Sequence, residues 1–233
     1  MSGVAERLAR VNARIEAACR RAGRAAGEVV LVGASKMQPA AVLAEAWQAG
    51  LEVFGENRVQ EALAKSRELP PQILPEIDWH LIGPLQSNKV RLALGLFRTI
   101  HSLDRASIAA AVDREAGARG LTIDGFLEVN LGGETSKHGF PPEGLAAAVS
   151  PLSRLQHLRI VGLMAIPPYG GSPAASRPWF RRLRELRDDL AARAEWRGFP
   201  GRLSMGMSDD FEVAIEEGAT HVRVGTALFG PRG

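Results

Sequence analysis

Lys36 ends an apolar run, Val29-Val30-Leu31-Val32-Gly33-Ala34-Ser35-Lys36, and precedes Met37-Gln38-Pro39 and an alanine-rich stretch of helical period. An amine held at the mouth of an apolar core loses its proton more readily than a solvated one and becomes a nucleophile toward carbonyls. A second group of residues lies far along the chain. Ser204-Met205-Gly206-Met207-Ser208-Asp209-Asp210 ends one apolar run and opens a helical one, with Ser208 suited to the N-cap position; such caps leave backbone N–H groups aimed at an anion. Arg223-Val224-Gly225-Thr226 then sets a residue without a Cβ beside a hydroxyl, which suits close approach of a ligand. Glycine and serine are equally at home in ordinary strand-to-helix turns. Arg223 falls between Val222 and Val224, on the face shared by His221 and Gly225. If that face is interior, its guanidinium needs an acceptor: Glu128 or Glu52 as an ion pair, or a ring nitrogen of a ligand.

These residues need a scaffold that brings them together. Eight apolar runs, 29–36, 52–55, 79–83, 98–102, 125–130, 160–166, 202–207 and 221–229, alternate with helix-like segments at 40–49, 58–68, 87–96, 105–119, 143–152, 174–196 and 209–217. Eight such units in 233 residues point to a single (β/α)8 TIM-type barrel spanning 1–233 rather than an open sheet. Val4, Leu8, Val11, Ile15 and Ala18 recur at three- and four-residue steps, predicting an extra amphipathic helix over 4–23 that covers the barrel from outside. In a barrel the first and last strands adjoin and sites form at the carboxyl ends, so Lys36 falls beside the turns after strands seven and eight.

Composition excludes several classes. A net charge of +3 carries no nucleic-acid-binding tail, and no apolar stretch reaches the ~18 residues of a spanning helix. One cysteine, Cys19, makes no internal disulfide and fits a reducing cytoplasm; the N-terminus reads as no signal peptide. No His/Cys/Asp spacing suggests a metal site. His80 and His101 read as hydrogen-bonded core or rim residues, and Asp209-Asp210 as helix-start acids. The series Arg177, Arg181, Arg182, Arg184 and Arg187 reads as a solvated face. Of the four lysines, Lys65 lies on a helix, while Lys89 and Lys137 read as rim contacts to phosphate or a partner.

The segments Gly33-Ala34-Ser35-Lys36, Phe54-Gly55-Glu56-Asn57-Arg58-Val59-Gln60-Glu61, Trp79-His80-Leu81-Ile82-Gly83-Pro84-Leu85-Gln86-Ser87-Asn88-Lys89, Gly162-Leu163-Met164-Ala165-Ile166, Ser204 to Asp210, and Val222-Arg223-Val224-Gly225-Thr226 together resemble the pyridoxal 5′-phosphate homeostasis protein family. The likeness runs in order from the first strand to the last. It implies a barrel similar to the N-terminal domain of alanine racemase, with Lys36 forming a Schiff base with pyridoxal 5′-phosphate (PLP). It further implies that Ser208, Gly225 and Thr226 hold the phosphate, with Ser204 a rival serine in the same loop. Arg223 would face the pyridine nitrogen, Asn57 would lie near the ring, and Met164 and Ser204 would line the pocket. The implied role is reversible binding and delivery of PLP by a cytoplasmic monomer, with apo PLP-dependent enzymes as recipients and neither nucleic acid nor membrane as partner.

An arginine at the pyridine nitrogen cannot accept its proton, which makes the ring a poorer electron sink than one paired with a carboxylate. Racemases with such an arginine bring a catalytic tyrosine from an additional domain; here the one tyrosine is Tyr169, in a Pro/Gly-rich loop. Efficient catalysis is therefore not expected. The alternatives are a PLP-dependent amino-acid racemase using His80, His101 or water as second proton carrier, and a barrel holding another phosphorylated metabolite with Lys36 as a plain charge.

Overall fold

Runs rich in β-branched and aliphatic residues form strands β1 (Val30–Ala34), β2 (Val53–Glu56), β3 (Asp78–Leu81), β4 (Thr99–Leu103), β5 (Ile123–Glu128), β6 (Leu158–Met164), β7 (Arg202–Ser204) and β8 (His221–Val224). All neighbours pair in parallel, and β1 closes on β8 with Val30 opposite His221 and Val32 opposite Arg223. The computed structural model describes residues 3–134, 138–168 and 172–231. The (β/α)8 barrel expected from the strand count is present, in sequence order throughout.

Helices α1 (Val4–Arg21), α2 (Ala40–Gln48), α3 (Val59–Glu68), α4 (Val90–Ala93), α5 (Ala106–Ala118), α6 (Leu145–Val149), α7 (Arg177–Ala191), α8 (Phe211–Glu216) and α9 (Thr226–Phe229) surround it. The extra N-terminal helix is as expected: α1 buries Val4, Leu8, Val11, Ile15 and Ala18. Its polar face reaches α8 through Arg14–Glu212 at 2.6 Å and Arg21–Glu216 at 2.8 Å, and Arg7 Nε donates to Leu228 O of α9 at 2.8 Å. The first helix thus braces the last one.

Several boundaries differ from the sequence reading. The run 221–229 is not one strand, because β8 stops at Val224 and Gly225, at φ −108° and ψ −83°, turns the chain into α9. The run 202–207 is regular strand only to Ser204, beyond which Met205 N–H still donates to His221 O and Gly206 O accepts the Arg223 N–H. The segment 174–196 divides into a 3₁₀ turn, Pro173–Ser176, then α7, then a second turn at Ala194–Trp196. Nor is the arginine series merely solvated: Arg177, Arg181 and Arg184 converge on the Glu217 carboxylate, and Arg177 also reaches Glu216.

The barrel interior is unusual in its polarity. TIM barrels commonly fill this space with branched aliphatics, whereas here His80, His101, Phe126 and His221 meet ring to ring, with His101 stacked on Phe126 at 4.5 Å and Phe126 edge-on to His221 at 5.0 Å. Arg223 is buried among them. Arg223 and His221 therefore do share the inward face.

Candidate functional site

Lys36 lies in the turn just past β1, half-buried, and its flanks are clamped by α3. Lys65, on that helix, donates to Ser35 O at 2.8 Å, to Glu56 Oε1 at 2.7 Å and to Glu61 Oε1 at 2.7 Å. Ser35 Oγ donates to the same Glu56 oxygen at 2.7 Å, and the Met37 N–H donates to Glu61 Oε1 at 2.5 Å. Met37 sits at φ +63°, in the left-handed region that costs a residue with a Cβ roughly 1–3 kcal/mol. The clamp holds that conformation. Burial raises the Glu56 carboxyl above its usual range against the pull of Lys65 and Ser35; Glu61, despite its own partial burial, is lowered by its bonds from Lys65 and Met37.

The cradle forms from the turns after β7 and β8. Ser208 is not the cap of α8, as the sequence suggested, since that position belongs to Asp210. Asp210 Oδ1 instead accepts the Met207 N–H at 2.7 Å and Oδ2 accepts the Ser176 hydroxyl at 2.8 Å, which fixes the loop carrying Ser208. Ser208 Oγ accepts the N–H groups of Gly225 and Ala227, each at 3.2 Å. Those two amides open α9, so the serine oxygen marks where an acceptor is welcome. The protein leaves room at 225 for more than glycine: an added Cβ would meet only Ala34 atoms, at 3.5 and 3.6 Å.

Arg223 finds its acceptors in neither Glu128 nor Glu52. Its Nη1 donates to Ser204 Oγ at 2.6 Å and its Nη2 to Ala165 O at 3.1 Å. Burial lowers its pKa to about 10, with Glu128 and Asp210 acting at longer range in the opposite sense. A cavity of about 230 Å³ unites Lys36, Ser208, Arg223, Gly225 and Thr226. A larger one of about 870 Å³ adjoins it, sharing Met207, Ser208, Asp209 and Thr226 and bounded by Ile166, Pro167 and Pro173.

Three expected residues lie elsewhere. Asn57 lines a separate cavity of about 570 Å³ with Arg58, Lys89 and Arg105; its backbone packs on Gly83, where a Cβ would come within 2.4 Å of Asn57 O. Met164 is buried with Phe126 and Val161 inside the barrel, and Ser204 is fully buried beneath Arg223; neither lines the Lys36 cavity. Lys137 and Tyr169 fall outside the described residues. Among the described residues no cluster of three or more His, Cys, Asp or Glu side chains is arranged to hold a metal, and no helix is long and apolar enough to cross a membrane. Sequence reasoning missed Lys65, Glu56 and Glu61 as the support of the Lys36 turn; the four-residue spacing of Glu61 and Lys65 was the available signal.

Residues 7–233 match the family model described as alanine racemase, N-terminal domain. The pyridoxal phosphate homeostasis protein of Aquifex aeolicus is 48% identical over 227 residues, covering 97% of both chains. That of Pseudomonas aeruginosa is 48% identical over 232 residues, covering 100% of this chain and 97% of its own. This chain belongs to the pyridoxal phosphate homeostasis protein family. The family's solved fold agrees: PipY of Synechococcus elongatus, solved with PLP bound, superposes with a TM-score of 0.85 at 42% identity over 97% of this chain and 100% of its own. A D-threo-3-hydroxyaspartate dehydratase from Delftia shares the barrel, with a TM-score of 0.64 at 18% identity, covering 96% of this chain and 59% of its own. That second likeness concerns the fold alone.

Proposed function

We propose that this protein binds PLP at Lys36 and serves its homeostasis, taking the cofactor up and releasing it to apo enzymes that require it. The observation that carries the reading is the 230 Å³ cavity in which an amine, an amide-lined anion cradle and a buried guanidinium converge. The residues fit the group. Lys36 has no hydrogen-bond or ion-pair partner among the described residues, and Gly225 leaves open the space a Cβ would fill. PLP supplies an aldehyde that condenses reversibly with primary amines, so that a second amine can displace the first.

Lys36 supplies the nucleophilic nitrogen. Ser208, Gly225 and Thr226, which line the cavity, hold the phosphate. Arg223 donates toward the ring nitrogen while its anchors on Ser204 and Ala165 keep it from turning away. Action as a monomer in a reducing cytoplasm, which a single buried Cys19 suits, is part of the same proposal. The enzymatic alternative gains nothing from the histidines, since His80 and His101 are bonded to each other inside the barrel and line no wall of this cavity.

Purified protein mixed with PLP is expected to show a yellow absorbance band that borohydride bleaches, with mass spectrometry locating the reduced adduct on Lys36. Lys36→Ala should abolish the band. Unchanged PLP content in that variant refutes the assignment.

A further inference from the structure

Arg223 is the upper end of a continuous chain of hydrogen bonds running down the barrel. Its Nη1 meets Ser204 Oγ at 2.6 Å; Ser204 Oγ meets His101 Nδ1 at 2.7 Å; His101 Nε2 meets His80 Nδ1 at 2.9 Å; and His80 Nε2 meets Asp78 Oδ2 at 3.0 Å. Ser204 and His101 are fully buried, while the Asp78 side chain, at the amino end of β3, is 52% exposed. The chain therefore joins solvent at one end of the barrel to the Lys36 cavity at the other.

We propose that Asp78, His80, His101 and Ser204 form a positioning relay that aims Arg223 at the ligand and makes occupancy of the cavity felt at His80. This rests on the reading that the cavity holds PLP. Direction follows from donor chemistry. Arginine only donates and an ionised carboxylate only accepts, so each group between must accept on one side and donate on the other. With both imidazoles neutral, one arrangement satisfies every bond: Arg223 to Ser204, Ser204 to His101 Nδ1, His101 Nε2–H to His80 Nδ1, and His80 Nε2–H to Asp78. The local charges support it. Burial keeps His101 neutral well below the ordinary histidine range, and the bond from His80 holds Asp78 ionised below its usual range.

A second arrangement is one proton away. With one proton added at His80 Nδ1, His101 changes tautomer from Nε2–H to Nδ1–H: His80 then donates to His101 Nε2, His101 Nδ1–H donates to Ser204 Oγ, and the Ser204 hydroxyl proton turns away from His101. His80 meets Asp78 on its own strand, His101 from β4 and His221 from β8; Arg223 acts on His101 and His221, Arg202 on His221, and Glu128 and Asp210 on Arg223. An anionic ligand beside Arg223 offsets the guanidinium charge and so favours the protonated arrangement. By linkage, protonation at His80 favours the loaded site.

The test is side-chain 15N NMR of histidine-labelled protein, free and loaded with PLP, with loading verified by the reduced adduct at Lys36. The free protein should show His80 and His101 as Nε2–H tautomers. Loading should move the His101 signals from the Nε2–H toward the Nδ1–H pattern, and the His80 signals with them. Ser204→Ala should uncouple His80 from loading, and Ser204→Thr, which keeps the hydroxyl, should restore the response. Asp78→Asn, at an exposed position, should weaken the His80 response to loading. An adduct at Lys36 with unmoved histidine signals, or a full His80 response in Ser204→Ala, overturns the relay alone. Absence of the adduct in the unaltered protein overturns the reading of the site, and the coupling with it.

Discussion

Replacing Lys65 with methionine removes the cation that ties Ser35, Glu56 and Glu61 together while nearly conserving volume. Glu61, whose side chain is 26% exposed, turns to water; Glu56, with none of its side chain exposed, cannot. One Glu56 oxygen, Oε2, already lacks a partner, so the variant leaves a buried carboxyl with the Ser35 hydroxyl as its remaining donor. Breaking a buried pair on one side costs about 3–5 kcal/mol, which for a domain of this size corresponds to a fall in Tm of roughly 6–20 °C. The carboxyl escapes by taking up a proton. Its folded pKa then lies above its unfolded value, so the folded state binds more protons and stability falls as pH rises from the unfolded pKa through the folded one; the deficit of Lys65→Met should thus be smaller at pH 5 than at pH 8. Urea unfolding at the two pH values measures it. Adding Glu56→Gln removes the stranded charge and should recover about 2 kcal/mol at pH 8. A double variant no more stable than Lys65→Met, or a deficit independent of pH, refutes the clamp as described.

Gly225→Ala should leave the unfolding free energy within about 1 kcal/mol of the unaltered protein yet sharply reduce retained PLP, because the methyl enters the cavity rather than the fold; calorimetry against absorbance titration separates the two, and intact retention refutes the cradle. Ser208→Ala, which strips the acceptor from two amides, should instead cost about 1 kcal/mol of stability in the free protein. His221, driven by burial to a pKa of about 3, binds fewer protons folded than unfolded, so it contributes stability that is lost as pH falls from about 6.5 toward 3. Between pH 7 and pH 5 its share is about 2 kcal/mol, and His221→Gln should flatten the pH dependence of urea unfolding by that amount.

How much of this was legible depended on whether the signal was local. The strands were, because each buried run is apolar and bounded by turn residues. The end of β8 was not: Ala227, Leu228 and Phe229 are as apolar as a strand, and only the backbone at Gly225 shows that they form a short helix. Ser208 illustrates a different limit. Its type and place beside a helix start suggested a cap for α8, yet its oxygen serves amides 17 and 19 positions away. Lys65 looked like any helical lysine, since its i,i+4 spacing from Glu61 is equally that of a surface pair and its burial against β1 and β2 shows only in three dimensions. Whether the face of Arg223 is interior was left open by its own neighbours, and within the protein its partner was sought among carboxylates. A hydroxyl backed by two imidazoles is an acceptor no pairwise charge argument would select.

The pairing of β1 with β8 sets Lys36 beside residues roughly 190 positions later in the chain, which at ordinary rates of synthesis reach the ribosome exit about 10–40 s after it. Throughout that interval the lysine exists without the amides of Gly225 and Ala227 and without Arg223. No partial product holds the site, and a nascent chain can offer at most an unselective amine. On the proposed site, cofactor retention is therefore a report on barrel closure itself: a chain that keeps PLP at Lys36 would have joined its first strand to its last.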